Sequence, residues 1–192
     1  MTSTLPPPSA LDQFTSILQK NPQLAQDFER ISAYSQGKGA GASSINHEVD
    51  VVLKHLKRPP SIAIDVGGNI GEYTLALMAN NKDVKIHIFE PSSDNVNKLK
   101  SKFGAERNIT INKMALSDKT GQAILFYDKP GSRLASLTNR RLSHFNIAFN
   151  LNESISTMRF EEYWANNLHK AHIDIAKIDI EGHEPLCIAG IW

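Results

Sequence analysis

Cysteine is nearly absent. Cys187 is the only one in 192 residues, so no disulfide can form within the chain. Neither C-x-x-C nor H-E-x-x-H occurs, which removes the commonest zinc sites. Net charge is also small, +1 at pH 7, and gives no bulk attraction to nucleic acid or to an acidic membrane. No apolar run approaches membrane-spanning length, and the first residues lack the basic start and apolar stretch of a secretory signal. These absences predict a cytoplasmic protein with neither nucleic-acid nor membrane partner, and they set no oligomeric state. The residues present, 41% hydrophobic and 21% charged, suit a soluble globular chain with a real core.

The stretch Ile62-Ala-Ile-Asp-Val-Gly-Gly-Asn-Ile-Gly-Glu-Tyr73 organises the rest. Ile62 to Val66 is too short for a helix and fits a buried strand. Gly67, Gly68 and Gly71, with Asn69 between them, form a turn in which the backbone can approach a ligand closely. The helix from Gly71 to Asn80 then points its N-terminus at that ligand. Dinucleotide folds use G-x-G-x-x-G, and here the third glycine comes one residue early. Asp65 before the turn suits a cationic ligand better than a diphosphate. Both points favour S-adenosyl-L-methionine over NAD, although an ordinary glycine-rich strand–helix turn has the same composition.

Residues 1–44 read as an N-terminal helical extension, with Pro6-Pro7-Pro8 as lead-in and Gly37 to Ser44 as a flexible joint. Its helices carry Leu11, Phe14, Ile17 and Leu18, then Leu24, Phe28 and Ile31, with Asn21-Pro22 as N-cap and first turn of the second. From residue 45 strand and helix patterns alternate, which predicts an α/β domain: a parallel sheet with helices on both faces. The second strand, Val84 to Phe89, ends in Glu90, where a doubly wound fold meets the ribose of an adenosine ligand. A third strand, Ile109 to Met114, precedes Asp118, which either reaches an adenine amino group or begins a turn. Gln122 to Tyr127 follows too soon for a helical crossover and reads as an antiparallel excursion. Arg133, Arg140 and Arg141 lie in or after the next loop and are candidates for an anionic substrate, or merely a solvated basic loop. A fourth strand, Ile173 to Ile180, would place Lys177, Asp179 and Glu181 on one face by period-two alternation. Asp179, Glu181, His183 and Glu184 then crowd the end of that strand, beside the ligand turn.

Four pieces, Asp65-Val-Gly-Gly-Asn-Ile-Gly-Glu-Tyr-Thr74, Phe89-Glu-Pro91, Ala115-Leu-Ser-Asp118 and Lys177-Ile-Asp-Ile-Glu-Gly-His-Glu184, together resemble the FkbM family of methyltransferases. The resemblance runs from about Glu48 to the C-terminus and includes Phe160-Glu-Glu-Tyr-Trp164, similar to the family's Leu-Asp-Asp-Tyr-Leu. Gly68 stands where the family often has Ala, a small change for a tight turn. The resemblance implies a Rossmann-like class I methyltransferase fold and methyl transfer from S-adenosyl-L-methionine, typically to an oxygen of a small molecule or sugar. Such domains continue past the fourth strand. The domain 45–192 is therefore expected to be incomplete at its C-terminus, with that strand left as a sheet edge.

The expected chemistry is direct displacement at the sulfonium methyl by a substrate hydroxyl, which gains from losing its proton. His183 is the first candidate base, since an ordinary imidazole titrates at about 6.5. Asp179 and Glu181 are alternatives, or orient the substrate or His183. Asp65, Gly67, Gly68, Asn69, Gly71, Glu90 and Asp118 are the candidate cofactor contacts. The Asp-x-Glu-x-His-Glu run has the side chains of a metal site, but no second cluster with ligand spacing accompanies it, and no metal is expected. A non-catalytic S-adenosyl-L-methionine-binding remnant and an NAD-dependent oxidoreductase are the rival functions.

Overall fold

The computed structural model describes residues 9–35, 44–138 and 149–191, and the chain divides into two units, 1–47 and 48–192. In the first, α1 (Ala10–Lys20) and α2 (Pro22–Ser35) are joined by Asn21, and Phe14 meets Phe28 edge-on at 5.0 Å. Asn21 does stand before a helix-starting proline. Its carbonyl accepts from the Ala25 N–H, as an N-cap residue's does, and its side chain donates to the Ile17 carbonyl and closes α1. Among the described residues no helix is long and apolar enough to cross a membrane.

The second unit, which takes in most of α3 (Ile45–His55), is built on a parallel sheet. Its strands are β1 (Ile62–Val66), β2 (Lys85–Phe89), β3 (Ile109–Asn112) and, last in the chain, Ile175–Ile178. They lie in the order third, second, first, last, so the last strand pairs with β1 and forms an edge. Alternation along β1 sorts its side chains. Ile64 and Val66 join Phe89, Tyr163, Leu168 and Cys187 in one core cluster. Asp65 points the other way, to Thr74 of α4 (Glu72–Asn80). Helices therefore cover both faces, α4 on one and α6 (Phe160–Asn167) and α7 (Glu184–Ala189) on the other. A further helix, α5 (Ser93–Phe103), follows β2.

Between β3 and the last strand the chain makes a second sheet. Its strands β4 (Ala115–Leu116), β5 (Gly121–Tyr127) and β6 (Leu151–Met158) lie in the order β4-β6-β5, and the edge strand of the main sheet becomes β7. The antiparallel excursion is thus a hairpin partner, β5 against β6. The third strand stops at Asn112 because a turn there (Met114 N–H to Asn112 O, 2.9 Å) redirects Ala115 and Leu116 into the second sheet.

The last strand is shorter than its apolar run suggests. At its start the Asp174 carboxylate accepts from the N–H groups of Ser61 and Ile62. At its end Asp179 N–H still reaches Val66 O at 3.1 Å, and then the chain turns. Glu181 (φ 58°) and Gly182 (φ 95°) are left-handed. Glu184 fixes this turn by accepting from Ile180 and Gly182, both at 2.9 Å. Period-two alternation therefore ends before Glu181, which does not share a strand face with Lys177 and Asp179.

Candidate active site

The strand ends and the glycine turn meet at the carboxyl edge of the main sheet. Gly67 (φ 78°) has no room for a side chain, since a Cβ would strike the carbonyl oxygen of Asp179. At Gly68 a Cβ would strike Ile88, and at Gly71 (φ 78°) the ring of Phe103. Protein atoms thus fill the space at all three glycines. They draw β7, β2 and α5 tightly around the turn, and an alanine at position 68 is not a small change in this chain.

Asp65 is wholly buried. Its Oδ2 accepts from Thr74 at 2.8 Å, and its Oδ1 lies 3.5 Å from the Lys177 ammonium. Burial pushes the Asp65 carboxyl up, and Lys177 and Thr74 oppose that shift. Lys177 also donates to Gly67 O at 3.1 Å, lies 3.7 Å from Asp179 Oδ2 and stands 5.9 Å from the centre of the Tyr73 ring. The Asp65 charge therefore faces a cation supplied by the chain itself. Asp179 is the open member of this row, with a side chain 67% exposed.

Glu90, at the end of β2, is 5% exposed. One carboxylate oxygen accepts the Asn69 N–H and the other the Ser92 N–H, both at 2.8 Å. Burial pushes this carboxyl up as well, and the two backbone hydrogen bonds oppose the shift. Asn69 adopts the left-handed conformation (φ 48°) that aims its N–H at Glu90. Ser92 stands at the N-cap of α5 without a side-chain capping bond, and Ser93 bonds to Glu153 of β6 instead.

His183, at the start of α7, is 7% exposed and turns towards a different neighbour. Its Nε2 lies 3.0 Å from Ser117 Oγ, and the Ser117 hydroxyl donates to Asp118 Oδ1 at 3.0 Å. That hydroxyl has one proton, so the ring must donate from Nε2 and keep its lone pair on Nδ1. Nδ1 is sealed from solvent with no partner among the described residues. Burial holds the ring below its ordinary value, against the pull of Asp118 and Glu184, so it is neutral at pH 7.

Asp65, Gly67, Gly68, Asn69, Glu90 and Asp179 thus come together, whereas His183 and Asp118 pair with each other through Ser117. Glu181 sits in the turn between, its carbonyl accepting from Ser136 at 3.0 Å. Among the described residues no three His, Cys, Asp or Glu side chains gather as a metal site. Arg133 grips Glu72 through two 2.9 Å bonds, while Arg140 and Arg141 lie outside the described residues. Asn95 carries no sequence signal of its own, and Thr74 and Ser117 stand inside the motif pieces without being singled out there. Lys177 stands inside a recognisable motif, and a cation amid an otherwise apolar strand was itself a signal that it needed a partner.

A parallel sheet in this order, with an acid at the end of each of its two central strands and a glycine turn between them, defines a Rossmann-like methyltransferase fold. The chain belongs to the FkbM methyltransferase family: residues 65–190, more than half of it, match the family's methyltransferase FkbM domain. No curated protein matches the chain. Among solved structures, a crystal structure of methyltransferase FkbM from Methylobacillus flagellatus KT is similar, with 16% identity and a TM-score of 0.47. That match covers 71% of this chain and 30% of the other.

Proposed function

We propose that this domain uses S-adenosyl-L-methionine to methylate an oxygen of a small molecule or sugar. The observation that carries the reading is Glu90, a buried carboxylate at the end of β2 tied to the glycine turn through the Asn69 N–H. A ribose brings hydroxyl donors, and the two oxygens of Glu90 are a set of acceptors. The donor group fits this set, and when bound it supplies an already activated methyl. A diphosphate fits poorly. The first residue of α4, where a dinucleotide fold seats its pyrophosphate, is the acid Glu72. Asp65, Glu90 and Asp179 also outnumber the two lysines at the turn, Lys177 and Lys102, the latter on the Ile70 carbonyl, which favours a cationic ligand over an anionic one.

In this scheme Asp179 accepts the proton of the attacking hydroxyl. Its open carboxylate beside Gly67 can meet a substrate, whereas the basic nitrogen of His183 is sealed. Lys177 holds Asp65 and Gly67 O in place, which fixes the turn before substrate arrives.

Thermal shift and calorimetry test the ligand class. S-adenosylhomocysteine at 100 times its Kd is expected to stabilise the domain by about 2.7 kcal/mol, and NAD is expected to have no effect. Glu90→Ala is expected to weaken S-adenosylhomocysteine at least about tenfold, since hydrogen bonds to a charged group contribute about 1.5–3 kcal/mol. Stabilisation by NAD alone, or unchanged affinity in a folded Glu90 variant, would remove this reading. Transfer of labelled methyl into a hydroxylated metabolite mixture separates an enzyme from a binding remnant.

A further inference from the structure

The loop that follows β5 leaves the second sheet and crosses to the carboxyl edge of the main one. Its base is pinned. Phe126 and Ser136 exchange two backbone hydrogen bonds, 2.9 and 3.0 Å, which close residues 127–135 into one loop. The Ser136 hydroxyl donates to the Glu181 carbonyl in the turn after β7. Midway, Gly131 (φ 68°) lies so close to α5 that a Cβ would strike the Lys98 ammonium and come within 3.2 Å of Asn95 Oδ1, an oxygen sealed from solvent. Arg133 then reaches both carboxylate oxygens of Glu72, the first residue of α4. The loop therefore touches the chain that follows β7, β2 and β1, the three strands whose ends border the glycine turn and Glu90. A segment so placed is a strap across the mouth of the site.

Its two ends are held unequally. Ser136, at the base, is 1% exposed. The Arg133 and Glu72 side chains are 64% and 42% exposed. One guanidinium nitrogen serves both oxygens, so the pair lacks the strength of a two-nitrogen fork. Water competes for both charges, and such a pair shifts an open–closed balance by only about two- to fivefold. Breaking it frees the loop around Arg133 and leaves the base standing.

We propose that residues 128–136 gate the donor site and that Arg133 and Glu72 are the latch. The role rests on the S-adenosyl-L-methionine reading above. The latch holds the strap closed whether or not donor is bound. It therefore governs how fast ligand enters and leaves, and not how tightly it is held.

Stopped-flow binding of S-adenosylhomocysteine to the full chain tests the gate. Arg133→Ala is expected to raise the association and dissociation rates by the same factor, about two- to fivefold, and to leave Kd unchanged. Glu72→Gln should act the same way, and the double variant should add little more. A melt recorded for each variant checks that it folds. Unchanged rates in both variants would overturn the gate. So would a weaker Kd carried by dissociation alone, which would make Arg133 a ligand contact. Amide exchange gives a readout without ligand. The N–H groups of Asn69 and Ser92, both on Glu90, should exchange about two- to fivefold faster once the latch is cut. A folded wild-type chain that binds no S-adenosylhomocysteine would remove the donor reading, and the exchange rates alone would then decide whether the strap opens.

Discussion

Asp179→Asn is expected to lower methyl transfer by about 10²–10⁴-fold and to leave S-adenosylhomocysteine affinity nearly unchanged, because general-base removal acts on the chemical step. The substitution keeps the size of the side chain and replaces one acceptor oxygen by an amide donor, removing the proton-accepting charge. Asp179 is suited to the role by place: its backbone pairs with Val66 and packs on Gly67, while its carboxylate faces solvent. Lys177, 3.7 Å away, steers that carboxylate. His183 offers a neutral base of suitable chemistry, but its lone pair on Nδ1 lies beneath the surface and its Nε2 is committed to Ser117. Single-turnover rates with bound donor make the comparison. Near-normal rates in Asp179→Asn, with a collapse in His183→Ala, would return the proton to His183.

Lys177→Met should cost about 3–5 kcal/mol of stability at neutral pH, the usual penalty for breaking a buried ion pair from one side. The wholly buried Asp65 would keep Thr74 as its hydrogen-bond donor and lose its cation. The loss should shrink in acid. Burial already raises the Asp65 carboxyl above its ordinary 3.8, and Lys177 opposes that shift. Without Lys177 the folded-state value rises further. A carboxyl raised on folding stabilises the folded state most when protonated, below its unfolded value, and that contribution fades as pH climbs through the folded value. The variant should therefore approach wild type as pH falls towards 4 and diverge from it at pH 7. Urea melts across that range measure the gap; a gap that stays constant with pH, or stays below about 1 kcal/mol at pH 7, would show that the pair carries no such weight.

Strands of the main sheet were legible because they are largely buried and read as short apolar runs, Ile62 to Val66 broken only by Asp65 and Ile86 to Phe89 only by His87. The second sheet was half hidden. In Leu151-Asn-Glu-Ser-Ile-Ser-Thr-Met158 only Ile155 and Thr157 are buried, and the polar remainder resembles a loop. The end of β7 misled for another reason. Ile180 and Glu181 continue an alternating pattern, but the side chain of Glu184 overrides it by bonding back to the turn. The acids Asp65 and Glu90 stood out because strand-end carboxylates are conspicuous, whereas Asn95 is an ordinary helix residue until its oxygen is found without a donor.

Gly67 and Lys177, joined by a 3.1 Å hydrogen bond, lie 110 residues apart along the chain. The pairing of β1 with β7 is the longest loop the main sheet has to close, and the second sheet lies inside that loop. Closing it costs entropy that no local contact repays, so parallel contacts of this span form slowly, whereas helices form within about a microsecond. A newly made chain therefore carries its helices and the β1–β2 pair well before the glycine turn acquires its second wall. During that interval Asp65 has no ammonium beside it, and the edge of β1 that β7 will cover is open to other strands. Competence to bind ligand and protection from misassembly are thus gained in the same late step.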